Sequence, residues 1–396
     1  MRNIGFGTLL LITFLTGTAP AKNPGSGIDF AAESFWQNHS IGVGRVVQTD
    51  GILARFTTVS TISGAISPGE RLGMVVHEFL SLQEIEKTSG VVRISFWDND
   101  GNPLLRKGDC LLLVEALSRN EFVQAKRIKG VDDPLVKGLT RIAELRSGSD
   151  PAALAQAVLL PEPVVADYAL RRLIENPSLR KGLDAQSRPE YSRQLLELRN
   201  DRKREPGTRL SLHALASLLD TNLPAEAEYV WLQQALTRDT REDSDLFLNK
   251  LLEHKEKRED TAAFLIGIAK NSGTPAPFRS TVSSYLSDRR VYDYSNPSGP
   301  LSKRVFETCL ELLRDSSRQL RSGGSGALNV IVRDTKDPAE KQRLSAAATA
   351  AIRQALQKEK DEETQSIFEN DLLDLSGEFY PPEILRRFPD LPRPRP

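Results

Sequence analysis

Catalysis or metal binding in this 396-residue chain would have to pass through few residues: His39, His77, His213 and His254, Cys110 and Cys309, and scattered carboxylates. No histidine has a second His, a Cys or a paired carboxylate at metal-ligand spacing, and His-Glu-x-x-His is absent. Gly323-Gly324-Ser325-Gly326-Ala327 mimics the Gly-x-Ser-x-small turn that presents a nucleophilic serine. That turn needs a strand before the serine and a histidine base. Here a helical pattern precedes it and no histidine follows, so a flexible inter-helix loop is expected. Asp98-x-Asp100-x-Asn102 copies the first ligands of a calcium loop, but Pro103 stands where glycine is needed, and a hairpin turn explains it better. There is no Gly-rich phosphate loop, and no spacing promotes one acidic pair for glycoside hydrolysis over another. The reading is no catalytic, cofactor-binding or metal-ligating residue, and no cofactor.

Charge narrows the partners. Lys+Arg equals Asp+Glu at 53 each. The balance is local too, with 12 acidic and 11 basic residues between Asn23 and Gly130. Neither half carries the positive field that phosphate neutralisation requires, so nucleic acid is not an expected partner. The densest basic stretch is Arg199, Arg202, Lys203, Arg204 and Arg209, interrupted by Asp201 and Glu205. It reads as a solvated inter-helix turn. Two cysteines in different predicted domains argue against a disulfide scaffold, and both read as buried free thiols.

The elements that would position any site change rhythm near Val131. Before it, short β-branched runs are broken by Gly, Pro, Asn and Asp; after it, apolar residues recur every three or four positions. Residues 1–21 read as a signal peptide: Arg2, an apolar run Ile4–Leu15, then Ala19-Pro20-Ala21. That run is too short to span a bilayer, and no longer one follows. Lys22–Ala32 reads as a flexible lead-in, with a short amphipathic turn at Phe35-Trp36 docking on the β module. Strands are expected at Ile41–Gln48, Leu53–Ser60, Arg71–Leu80, Val91–Trp97, Leu104–Arg106, Cys110–Ala116 and Phe122–Ile128. So many short strands in one domain, 33–130, imply a small closed or nearly closed barrel.

Ile41-Gly42-Val43-Gly44-Arg45-Val46-Val47, the turn-rich Ile62–Gly69 and Lys107-Gly108-Asp109-Cys110-Leu111-Leu112-Leu113-Val114 resemble the OB-type barrel of exported bacterial proteins and of the netrin and tissue-inhibitor-of-metalloproteinase group. Those inhibitors chelate zinc through an N-terminal cysteine. The mature chain expected here has none near its start, so that inhibition is not carried over.

From 131 to 380 the chain reads as about twelve helices. Leu135, Leu139, Ile142 and Leu145 line the first, Ser149-Asp150-Pro151 caps the next, and Val165, Ala169 and Leu173 face inward on a third. Tyr292–Pro300, with two exposed tyrosines, and Ser322–Gly326 read as loops. Glu162–Leu170, Pro277–Leu286 and Asp337-Pro338-Ala339 each place proline ahead of a helix. This arrangement resembles the HEAT-like α-solenoid family, in which stacked helix pairs bury one face. Residues 381–396 form a Pro/Arg-rich tail. The fold expected is multidomain, a small all-β OB-like barrel followed by an all-α HEAT-like solenoid.

Solenoids present concave grooves, and OB barrels present a sheet face and loops. The expectation is an exported, periplasmic or extracellular, non-catalytic interaction or scaffold protein that binds a protein or cell-envelope polymer. The alternatives are an envelope hydrolase with a carboxylate site in the barrel–solenoid groove, or a ligand-binding or inhibitory barrel on a helical stalk. The expected cleavage falls between Ala21 and Lys22, because Ala19 and Ala21 occupy the small-residue positions. N-terminal sequencing of exported material should start at Lys22, and a mature protein still starting at Met1 would remove export altogether.

Overall fold

A computed structural model describes residues 28–49, 53–64, 66, 70–75, 91–96, 105–116, 122–148, 150–220, 222–238 and 245–376. Among them an N-terminal β module precedes a long helical region. The strands are β1 (His39–Thr49), β2 (Leu53–Ser63), β3 (Glu70–Val75), β4 (Val91–Phe96), β5 (Cys110–Ala116) and β6 (Phe122–Ile128). Their hydrogen-bonded order is β1-β2-β3-β4-β6-β5. β1 is antiparallel to both β2 and β5, with Val43 opposite Ser60 on one side and Leu112 on the other. β2–β3 and β5–β6 are also antiparallel, whereas β3–β4 and β4–β6 are parallel.

The alternation of β5 explains its position. Leu111 and Leu113 turn into a cluster with Val46, Phe56 and Ala125, inside the β module. Leu112 and Val114 turn the other way and join a second cluster shared with helices. A strand buried on both faces is a continuous apolar run, and Leu111-Leu112-Leu113-Val114 is one. Gly42 meets a close approach in β1. A Cβ there would lie 2.7 Å from the Ser60 carbonyl oxygen, so a side chain would force β2 away.

The helices are α1 (Glu33–Asn38), α2 (Pro134–Gly148), α3 (Pro151–Val158), α4 (Pro163–Glu175), α5 (Pro177–Gly182), α6 (Arg188–Leu198) and α7 (Pro206–Leu219). After them come α8 (Ala225–Arg238), α9 (Asp245–Leu251), α10 (Arg258–Lys270), α11 (Ala276–Ser284), α12 (Pro300–Leu312), α13 (Arg318–Asp334), α14 (Pro338–Leu356) and α15 (Glu362–Ser376). Proline opens many of them because its missing N–H costs nothing in the first turn. Asp150 accepts from Ala152 N–H at 3.0 Å, and Asp337 from Glu340 N–H at 2.8 Å. Within each unit consecutive helices pack as hairpins, and several hairpins stack on a neighbour. α10 and α11, α12 and α13, and α14 and α15 pack within pairs, while the second helices α11, α13 and α15 pack in series. The earlier pairs α3–α4 and α6–α7 are joined in the same way through α4 and α7.

One polar device recurs in these hairpins. The fourth residue of a second helix reaches back to carbonyls at the end of the preceding helix or in the turn that follows it. Arg209 Nε donates to Arg199 O at 2.7 Å, and Arg279 Nε to Ala269 O at 2.9 Å. Arg321 Nη1 donates to Asp315 O and Ser316 O, and Gln365 Nε2 to Glu359 O. The carbonyls at a helix C-terminus have no intrahelical donor, and this is where they find one.

Two sequence expectations change. Ser322–Gly326 is not a loop; it lies inside α13. A Cβ on Gly324 would stand 2.9 Å from both Cys309 O and Leu312 Cβ, so the glycine run lets α13 lie close against α12. Ile28–Ala32, expected to be flexible, is packed: Ile28 and Phe30 join the core with Phe35 and Trp36. The Phe35-Trp36 turn meets helices as well as strands, since Trp36 lies edge-on to Tyr168 and under the Arg146 guanidinium.

The chain divides into two compact units between Leu223 and Pro224. The change of rhythm at Val131 therefore marks a change of secondary structure inside the first unit, whose core runs from Ile41 and Val114 through Val136, Leu173 and Leu215. Leu173 is fully buried there. Leu173→Ala should cost about 2–5 kcal/mol. Hydrogen exchange should show protection falling in β1 and β5 together with α2 to α4; loss confined to the helices would show that the shared core does not couple them.

Candidate functional site

The residues singled out for chemistry are mostly occupied by structural partners. His39 stacks on Phe35, with Nδ1 2.8 Å from Phe35 O. His213 is buried on α7 against the Arg199 guanidinium. His254 lies between two carboxylates, Nε2 3.5 Å from Glu228 Oε2 and Nδ1 3.4 Å from Glu256 Oε1, so both ring nitrogens face protein groups. His77 and the Asp98–Asn102 turn lie outside the described residues. Both cysteines are free. Cys309 is fully buried, and burial pushes its thiol up to about 12. Cys110 is only partly buried, unlike the expectation for it.

Ser325 has no access to a substrate. It is fully buried, and its Oγ donates to Asp371 Oδ2 at 2.5 Å. Asn329 Nδ2 donates to Asp371 Oδ1 at 3.0 Å and to Asp374 Oδ2 at 2.9 Å, which ties α13 to α15. Burial raises the Asp371 carboxyl, and Ser325 and Asn329 oppose it. The Tyr292–Pro300 segment is non-helical as expected, but its aromatics are not presented. Tyr292 is fully buried and Tyr294 Oη donates to Ser287 O at 2.7 Å.

The basic stretch after α6 is likewise inside the protein more than on it. Arg202 and Lys203 are exposed, but Arg209 is buried, and Arg204 Nη2 donates to Leu160 O at 3.2 Å. Beside it Asp167, on α4, accepts from Thr208 Oγ1 at 2.9 Å. Burial lifts its carboxyl to about 6, against the opposing Thr208 hydrogen bond and the Arg204 charge. At the N-terminus of the described chain, Glu33 receives Arg146 at 2.9 Å and Tyr168 Oη at 3.0 Å, and Asp29 pairs with Arg171 at 2.5 Å. Burial raises Glu33, but the Arg146 and Tyr168 hydrogen bonds more than offset it, and the carboxyl sits below its usual value.

A different feature lies in the second unit. A cleft of about 400 Å³ opens between the C-terminal halves of α12 and α14. Both helices rest on α13, and the small side chains Ala351 and Ala355 keep the floor low. Leu310 and Leu313 complete the apolar floor. Arg314, Lys358 and Lys360 are exposed at its edge. Arg321 and Glu359 form a bidentate pair at 2.6 and 2.8 Å in its wall, which neutralises the only carboxylate lining it. Among the described residues, neither lysine ammonium has a carboxylate within 4.0 Å. Arg314 meets Gln354 Oε1 at 3.4 Å, a long contact across the mouth. Nothing local in the sequence marks this site, because its cations come from two separate inter-helix turns, Arg314 in one and Lys358 and Lys360 in a later one.

No protein-family model matches this chain, and no curated protein matches it either.

The Asp167 carboxyl generates a pH prediction. Its folded value of about 6 lies above the 3.8 of the free group. The folded state thus holds a proton that the unfolded chain releases, and the associated stability is full below about pH 3.8 and lost as pH rises through about 6. Asp167→Asn keeps an oxygen for Thr208 without the buried charge. It should raise stability at pH 7 by about 1–2 kcal/mol and change it little at pH 4. Denaturant unfolding at both pH values checks this; an equal effect at both would place the cause in packing.

Proposed function

We propose that this protein is an exported, non-catalytic interaction protein that binds a protein or cell-envelope partner through its helical array and the outer face of its β module. On this reading the helices form a HEAT-like solenoid, supported by hairpins that stack through α11, α13 and α15. The β module is an OB-like barrel, supported by the β1–β5 ladder that returns the end of the strand order to its start, although six strands replace the usual five. Its outer face at β1 and β2 exposes Arg45, Arg55, Val59 and Thr61. The observation that carries the proposal is the cleft between α12 and α14, where exposed cations surround an apolar floor. Such a surface leaves both charge and apolar area to be satisfied by another molecule. Among the described residues no helix is long and apolar enough to cross a membrane.

Photo-crosslinkable residues placed at Gln354 in the cleft and at Val59 on β2 test this in the full chain within its native envelope. A discrete adduct from at least one position is expected. No adduct from either, together with turnover of a wall polymer abolished by a single carboxylate change, would replace the interaction reading with the hydrolase.

A further inference from the structure

The geometry points to a defined ligand chemistry for the α12–α14 cleft: we propose that it docks an acidic peptide segment carrying a leucine-like side chain, supplied by a partner protein. This rests on the interaction reading above and specifies it.

Three features of the cleft converge. The first is shape. Ala351, Gln354 and Ala355 fall three and four residues apart along α14 and so share one face, and Lys358 follows in the turn beyond Leu356. At 1.5 Å per residue the helical part forms a wall about 6 Å long, room for about two extended residues at 3.3 Å each. The second is the floor. Leu310, Leu313, Ala351 and Ala355 supply the apolar part of the lining of the cleft, which a branched aliphatic side chain can cover and an inorganic anion cannot. The third is charge. Arg314, Lys358 and Lys360 stand at the rim, while the lining's carboxylate, Glu359, is already held by Arg321 on two hydrogen bonds. Glu359 is 3% exposed at its side chain, so it cannot turn outward to neutralise the lysines.

These features select among ligands. A basic peptide would meet like charge at three points. A neutral apolar segment would leave the rim cations unsatisfied and pay to desolvate them. A phosphate or a small carboxylate would use the rim and ignore the floor. Alternating acidic and aliphatic side chains satisfy both, because in an extended segment successive side chains point to opposite faces while those two apart share one. The Arg314–Gln354 contact at 3.4 Å is long enough to yield to a carboxylate, which makes a shorter, charge-assisted bond to guanidinium.

The test uses the full chain and fluorescein-labelled hexapeptides in fluorescence anisotropy. The first probe is Glu-Leu-Glu-Leu-Glu-Leu; in the second, lysine replaces glutamate, and in the third, serine replaces leucine. The first should bind at least tenfold tighter than either control and weaken as salt rises. Lys358→Glu with Lys360→Glu, both exposed, should reduce its binding at least tenfold with an unchanged circular dichroism spectrum. Lys358→Gln with Lys360→Gln, which adds no repulsion, should give an intermediate loss. Equal binding of the acidic and basic probes, or an affinity unmoved by charge reversal, would overturn the inference. So would an adduct from Gln354 that survives both lysine substitutions; that result would leave the broader interaction reading standing. Tight acidic-probe binding without any adduct in the envelope would support the groove's chemistry and remove the partner placement.

Discussion

The backward reach of one side chain in four of the helical hairpins is the contact on which much of the helical region depends. The end of a helix and the turn after it leave carbonyl oxygens without intrahelical donors, and each one that is buried without a partner costs about 1–3 kcal/mol. Here Arg209, Arg279, Arg321 and Gln365 meet that need from the fourth position of the following helix. Arginine does more than glutamine because its fork has donors to spare. Arg279 Nη2 also reaches Asp315 at 2.6 Å, and Arg321 spans to Glu359, in each case an acid in the turn of the next hairpin. One guanidinium therefore closes its own turn and ties it to the neighbour. Desolvation raises the Asp315 carboxyl, but the Ser317 N–H and Arg279 more than offset it; the Arg321 hydrogen bond holds Glu359 below its usual range. Ion pairs on an open surface contribute little, whereas these are embedded where removing one partner strands the other.

The first unit solves a different problem. A small β module of this kind has two apolar faces along β5, and only one can be filled from inside. The other is covered by α2 and the helices behind it, with Ile28, Phe30, Phe35 and Trp36 wedged in from the N-terminal side. Polar ends fix the wedge's position. Trp36 Nε1 donates to Phe30 O at 2.8 Å, Glu33 takes Arg146 and Tyr168, and Asp29 takes Arg171. The segment thus behaves as part of the core that it covers.

Much of this was legible in the sequence, and the misses have physical causes. The bounds of β5 and β6 follow the residues Cys110–Ala116 and Phe122–Ile128, because turn residues flank an apolar run in the first and a mixed apolar and polar run in the second. Asp150-Pro151 and Asp337-Pro338 announced helix starts that the side-chain caps realise. Gly323-Gly324-Ser325-Gly326 misled, because glycine lowers intrinsic helix propensity, yet a helix–helix crossing too tight for a side chain can demand it. The basic run ending at Arg209 misled for a related reason. Local charge density resembles a solvated turn, and only the neighbouring carbonyls reveal that the guanidinium is buried. The arginine repeat itself, at 209, 279 and 321 with Gln365 after it, has uneven spacing, so no fixed period exposes it. Its signal is positional, four residues into a second helix, and appears once helix starts are known.

The cleft between α12 and α14 follows from the same stacking. α10 packs on α12, and α13 packs on both α12 and α14. The room between the last two is set by what their facing sides carry, and alanines at 351 and 355 leave it open. In a solenoid the second helices carry the continuous contact, so the first helices are free to vary their spacing without loss of the stack. Cations collect at this gap in part because it lies at helix C-termini, where they complement the negative end of the macrodipole. That complement explains a lysine just past the end of α14. It does not explain three exposed cations converging over an apolar floor, since each added like charge repels the others and the floor gains nothing from them. On the proposed reading, an acidic segment with a leucine-like side chain compensates this arrangement by meeting both the charge and the apolar area.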